Sequence, residues 1–480
     1  MWTIGLYVVA LIVVAITTHW TYKWRNPKCC RGKLPPGSMG FPLVGETIQF
    51  FVPSNSLDIP PFVKNRTKKY GPIFKTSLAG RPVVVSTDAD FNHFILQQEG
   101  KLVELWYMDS FGKLLGQSGP GDESSATSTG EIYKNLKKSV GDCLGPEILK
   151  QLIPELCNMA DQTLASWSEQ HSLEVKHECA KMTLNFTSRH LFGYDPEKSG
   201  VNLSEMFASI TQGLMSFPLN IPGTAFHRCM QMRNKIFKII RDSIEERRRA
   251  SPDSRRGDFL GRLMDDMESR SLLTDEIITY AIFALLLATY ETIPSTLTVA
   301  IMLLGEHPLV VQELMNENDK IIEERRNAAT SLTWKEYKSM TLTMQVLNET
   351  LRISSSAAGI LRKTTKDIQL NGYIIPEGWT IFILPSAIHL NPDLYQNPLS
   401  FNPWRWKDSG VTAGAKSFIP FGGGQRSCSG SEFSKVFMAT FLHVLVTKYS
   451  WKKVKGGEIA RSPTLSFGNG YYIRVSKKTK

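Results

Sequence analysis

Phe421-Gly422-Gly423-Gly424-Gln425-Arg426-Ser427-Cys428-Ser429-Gly430 sets one cysteine at the end of a glycine-rich run, just ahead of a helical pattern. Apolar residues at Phe433, Phe437, Phe441 and Val444 continue it near helical spacing. Glycines admit positive φ and let the backbone approach a flat cofactor closely. A sulfur just before a helix start meets unpaired N–H groups and the positive end of the dipole, which lower a thiol's pKa. Arg426 lies near that anion and can reach an acidic group on a cofactor. No Gly-Lys-Ser/Thr follows the glycines, so a phosphate-binding loop is the weaker reading.

Upstream, Glu349 and Arg352 stand at i, i+3 on one predicted helical face, where they can pair. Arg405 lies in Phe401-Asn402-Pro403-Trp404-Arg405-Trp406, shortly before the cysteine. Arg362 follows in Leu361-Arg362-Lys363 and reads equally well as a ligand-facing or an exposed strand residue. Farther back, Thr274 can cap a long helix whose run Ile277 to Leu287 is apolar on nearly all sides. On it Ala284, Ala288 and Thr292 share one face at i, i+4 and i+8. Helix packing explains the alanines, and so does a flat group lying on that face. Early strands are expected at Ile73 to Leu78 and Pro82 to Ser86, with Gly80 turning between them. A hairpin is expected at Ile368 to Ile375, broken at Asn371-Gly372. The fold class is therefore mainly α with small β sheets, in one large domain.

The chain has 480 residues and a formal net charge of +11. A basic balance suits an acidic surface such as a membrane. No zinc-finger or aromatic RNA-binding signature supports a nucleic-acid partner. Seven cysteines, odd in number and irregular in spacing, suit a reducing compartment. Trp2 to Thr18 carries no charge, Trp20, Tyr22 and Trp24 follow, and Lys23, Arg25, Lys28, Arg31 and Lys33 come next. This order predicts a single-pass transmembrane anchor over residues 1–22 with the bulk in the cytosol. A basic, proline-rich hinge over 23–45 and a large domain over 46–480 complete the organisation. Ser118 to Glu131 reads as a polar loop and Arg247 to Arg256 as a basic surface turn.

The cysteine loop resembles the haem-binding loop of the cytochrome P-450 superfamily, F-x-x-G-x-R-x-C-x-G, at all five fixed positions. Ordinary residue frequencies give this pattern by chance in on the order of one in ten thousand chains of this length. Segments such as KLPPGSMGFPLVGETIQF and HLNPDLYQNPLSFNPWRW look like the plant clan that oxidises sterols and triterpenoids, most like family eighty-seven.

The resemblance implies haem b with Cys428 as iron ligand, O2 as co-substrate, and electrons from NADPH through a cytochrome reductase. It implies an endoplasmic reticulum membrane location and an apolar triterpenoid or sterol-like substrate. Arg362 matches an arginine that pairs with a haem propionate, and Tyr133, Lys137, Arg362 and Arg426 are the expected cofactor-binding residues. Glu291 and Thr292 match the acid and threonine that handle protons during oxygen activation. Glu349, Arg352 and Arg405 match a structural lock. Four positions depart from the pattern. Tyr133 and Lys137 stand where W-x-x-x-R normally faces the propionates, Ala358 replaces a proline, and Ile293 replaces a second threonine, with Pro294 after it. Two further readings are a peroxide-rearranging relative, which the Glu291-Thr292 pair disfavours, and a haem protein without turnover.

Overall fold

Thr274 does start the central helix, its side chain accepting a hydrogen bond from the Ile277 amide. That helix, Asp275–Glu306, has 32 residues and lies deep in the protein. The structure is a computed structural model describing residues 2–27, 32–115, 130–214, 216, 218–249, 257–270, 273–325, 331–370, 372–407, 414, 416–462 and 464–478. Most of the expected polar loop after Ser118, the basic turn beyond Arg249, Cys29, Cys30 and Asn371 lie outside the described residues.

The principal helices are, in chain order, α1 (Trp2–Arg25), α2 (Ala89–Leu96), α3 (Glu131–Cys143), α4 (Pro146–Ser168), α5 (Val175–Phe192), α6 (Leu203–Leu214), α7 (Ala225–Arg249), α8 (Asp275–Glu306), α9 (Thr341–Ser354) and α10 (Ser431–Lys448). The strands are β1 (Ile73–Leu78), β2 (Arg81–Ser86), β3 (Val103–Leu105), β4 (Ile360–Thr364) and β5 (Thr380–Ile383), which form one sheet in the order β1-β2-β5-β4-β3. β2 and β5 run parallel, while the other neighbours are antiparallel, with Leu105 opposite Arg362. The expected turn holds, with Ala79 and Gly80 at φ 50° and 76°.

Helix α8 changes partners along its length. Its first half, including Ile278, Phe283 and Leu286, packs with Phe207 of α6 and Phe237 of α7. Its second half, from Ile293 through Leu297 and Ile301, packs with Ile153 of α4 and Phe437 of α10. The switch falls between Tyr290 and Ile293, so Glu291 and Thr292 sit between two cores rather than inside either. Pro294 stands within the helix, which continues past it.

Part of the stretch expected as a hinge over 23–45 is docked against the sheet. Lys75 donates its amide to the Pro36 carbonyl, Gly37 bridges Lys75, and Gly45 bridges Leu78, so Pro36 to Gly45 lies along the edge of β1. Gly37 takes φ +144°, and a Cβ there would sit 2.0 Å from the Lys75 oxygen. Residues that read as flexible punctuation are thus needed for close backbone contact. The first helix runs from Trp2 to Arg25. α1 exposes Leu6, Leu11, Ile12, Val13, Val14 and Ile16.

Candidate functional site

The cysteine loop is held by its own backbone and by α2. The Cys428 amide donates to the Phe421 carbonyl at 2.9 Å, and the Ser427 amide to Gly424 at 3.1 Å. Gly424 has φ +66°, and a Cβ would lie 1.9 Å from the Leu96 carbonyl oxygen at the end of α2. Only glycine fits that contact. α10 begins at Ser431, three residues after the cysteine. Cys428 opens onto a cavity of about 470 Å³, and among the described cysteines it alone lines that cavity. Burial pushes its thiol up, opposed by the Gly430 amide and by Lys137.

The same cavity is lined by Ala284 and Thr292 of α8. On this largely buried helix Ala288 and Thr292 are exposed and Ala284 is half-buried, so the expected stripe faces open space. The Thr292 hydroxyl donates to the Ala288 carbonyl at 2.7 Å. Its lone pairs remain able to accept a hydrogen bond. Glu291 points elsewhere and pairs with Lys176 of α5 at 2.6 Å, both partly exposed. The cavity's apolar lining includes Leu105, Leu115, Ile293, Ile360 and Leu361.

Arg362 and Arg426 also line the cavity. Arg362, on β4, is 2 % exposed, so it is not an exposed strand residue. Both guanidiniums meet the buried Glu99 carboxylate through Nε, each at 2.9 Å. Tyr133 and Lys137 of α3 support the loop from above. The Arg426 guanidinium stacks 3.5 Å from the Tyr133 ring centre, and the Tyr133 hydroxyl donates to the Gln425 carbonyl. Lys137 donates to the carbonyls of Gln425 and Ser427. Burial and nearby Arg426 lower the Lys137 ammonium, while Cys428 pulls the other way.

Behind the loop, Glu349 of α9 is fully buried and accepts from five donors. They are Arg352 Nε and Nη2, Arg405 Nε, Trp406 Nε1 and the Asn402 amide. Arg352 also donates to the His389 carbonyl at 2.7 Å. Where Ala358 replaces the expected proline, the turn is fixed otherwise. Ser355 takes a left-handed conformation with φ 38°, and its hydroxyl bonds His389 Nδ1 at 2.8 Å.

A sequence model of the cytochrome P-450 family matches residues 35–471. The chain belongs to the cytochrome P-450 family. It is 43 % identical to the beta-amyrin 16-alpha-hydroxylase of Maesa lanceolata, over 100 % of both chains. It is 45 % identical to the cucurbitadienol 11-hydroxylase of Siraitia grosvenorii, again over 100 % of both. A cytochrome P-450 87A3 of Oryza sativa subsp. japonica is 46 % identical, over 96 % of this chain and 89 % of that one. Family eighty-seven, expected from the sequence segments, is thus represented among its relatives. Among solved structures, the retinoic acid bound cyanobacterial CYP120A1 superposes with a TM-score of 0.82 and 27 % identity. That match covers 93 % of this chain and 100 % of the other.

As a family member the protein is a haem-thiolate monooxygenase that binds haem b and uses O2 and a redox partner. The residues present fit that cofactor. Two buried arginines suit its carboxylates, a stripe of small side chains suits its flat face, and a cavity-facing cysteine suits its iron. Sequence reasoning missed Glu99 and Lys176. Neither lies in a recognisable motif, and each meets its partner only through the fold.

Proposed function

We propose that this cytochrome P-450 hydroxylates a triterpenoid or sterol-like substrate at the Cys428 cavity, on a membrane, with electrons from NADPH through a cytochrome reductase. The observation that carries this reading is the convergence of Cys428, the Ala284–Thr292 face and an apolar lining on one cavity. The relatives named for triterpene hydroxylation, alike over their full length, support the substrate class. The overall reaction balances as R–H + O2 + NADPH + H⁺ giving R–OH + H2O + NADP⁺.

Haem b held through a thiolate supplies the reductive activation of O2. The chain's own residues do the rest. Cys428 is the thiolate, and the Gly430 amide and Lys137 temper its charge. Arg362 and Arg426 take the carboxylates, with Tyr133 and Lys137 fixing the loop that carries Arg426. Leu105, Ile360 and Leu361 exclude water and hold an apolar skeleton. Glu291, paired with Lys176 near the surface, exchanges protons with solvent. Thr292 accepts a hydrogen bond from water on the cavity side. Pro294 has no N–H, so the Tyr290 carbonyl lacks its helical donor and offers a second place for that water.

The test is coupling. A positioned proton-transfer group typically contributes roughly 10²- to 10⁴-fold. Thr292→Ala should keep the thiolate spectrum and continue to consume NADPH. Product formation from a triterpene should fall on the order of 10²-fold, the difference leaving as hydrogen peroxide. A wild-type ratio of product to NADPH would reduce Thr292 to a packing residue.

The exposed apolar side chains of α1 and the basic flank after it support a single-pass anchor in the endoplasmic reticulum, with the haem domain in the cytosol. Deleting residues 1–25 should shift the protein from the membrane pellet toward the supernatant and leave the thiolate spectrum in place. Full retention in the pellet after an alkaline wash would contradict the anchor.

A further inference from the structure

Glu99 lies in the turn between α2 and β3 and is 4 % exposed. A carboxylate is rarely buried to that degree without partners. Its partners here are both cavity arginines. Oε2 faces Arg362 Nε and Oε1 faces Arg426 Nε, each at 2.9 Å. Oε1 also accepts from the Leu105 amide at 3.0 Å, which ties the carboxylate to β3. Arg362 and Arg426 lie 64 residues apart in sequence, on a strand and on the cysteine loop. One carboxylate thus joins two elements that line the cavity.

The charges explain the arrangement. Two buried guanidiniums repel each other, and burial first, then Arg426, lowers Arg362 below its ordinary value, opposed by Glu99. One carboxylate between them cancels one of the two positive charges. The Arg426 Nε hydrogen bond fixes the plane of that fork, while Arg362 Nε lies close to Oε2 outside hydrogen-bond geometry and is held there by charge.

We propose that Glu99 is a positioning residue that sets the orientation and net charge of the Arg362–Arg426 pair toward the haem carboxylates, and so sets the reduction potential of the iron. This rests on the reading that those two arginines face the haem carboxylates. A negative charge near the haem favours its oxidised form, because reduction adds an electron to the same region. Removing that charge must favour the reduced form.

The experiment is spectroelectrochemical titration of the full-length holoprotein without substrate. Glu99→Gln should raise the ferrous-to-ferric ratio at a given potential on the order of tenfold, which is about 59 mV for one electron. Glu99→Asp keeps the charge and should stay within about threefold of wild type by the same scale. Arg362→Gln removes a positive charge and should shift the ratio the other way. If Glu99→Gln yields no haem protein, Glu99→Asp must still yield it at the wild-type potential. A Glu99→Gln potential equal to wild type overturns the proposal, as does a Glu99→Asp protein that shifts as far as Glu99→Gln or fails to hold haem. If Arg362→Gln moves the potential and Glu99→Gln does not, only the role of Glu99 falls. If Arg362→Gln moves nothing, the underlying assignment of the arginines falls.

Discussion

Cys428→Ala should abolish the red-shifted Soret band of the reduced, carbon-monoxide-bound protein and all substrate hydroxylation with it. That band reports a thiolate on iron, and each described alternative is placed where it cannot serve. Cys179 and Cys229 are fully buried in the helical core, where desolvation raises both thiols, Cys229 to about 11. Cys143 and Cys157 are half-buried and also raised by burial. None of these four lines the cavity that holds Cys428. Cys179→Ala, the matched control, should keep the band, with only a loss of packing. The measurement is the difference spectrum of both variants beside wild type. A band that survives in Cys428→Ala would assign the ligand elsewhere.

Glu349→Gln should cost the protein its stable holo form. The wild-type carboxylate compensates Arg352 and Arg405, whose side chains are 0 % and 8 % exposed. Glutamine keeps one acceptor and removes the charge, leaving two guanidiniums in the interior opposed by a neutral amide. Breaking a buried ion pair from one side typically costs about 3–5 kcal/mol. Whole-domain stability is typically about 5–15 kcal/mol, so the loss is a large share of it. Arg352, Arg405, Trp406 and the Asn402 amide all converge on this one group, so the loss spreads to the segment just before the cysteine loop. A strong fall in the denaturant midpoint and in haem incorporation is expected. An unchanged midpoint would mean that the cluster is not a structural lock.

The parts of this account that were legible in sequence are those whose chemistry is local. Gly424, Arg426 and Cys428 lie within five residues, and their spacing alone implies a tight loop before a helix. The stripe Ala284, Ala288, Thr292 repeats at the helical period, so its shared face followed from spacing. Thr274 as a cap and Gly80 as a turn are equally short-range. Contacts made across the chain gave no such signal. Glu99 and Arg426 are 327 residues apart, and Lys176 and Glu291 are 115 apart. Nothing in either neighbourhood marks the pairing. The docking of Pro36 to Gly45 on β1 is not legible in the sequence for a related reason. Proline and glycine mark turns whether a stretch is free or docked, and only the presence of β1 beside it decides between them.

The claim that joins these parts is that the Cys428 cavity oxidises a rigid apolar skeleton. The most direct measurement offers the full-length protein, with a cytochrome reductase, NADPH and O2, an equimolar mixture of a pentacyclic triterpene, a tetracyclic triterpene, a sterol, a fatty acid and a phenylpropanoid. Products are identified by mass and each is compared with the NADPH consumed. A singly oxygenated triterpene or sterol is expected as the main product, with the fatty acid and phenylpropanoid untouched. Efficient oxidation of the fatty acid or the phenylpropanoid, with the triterpenes and sterol returned unchanged, would contradict it.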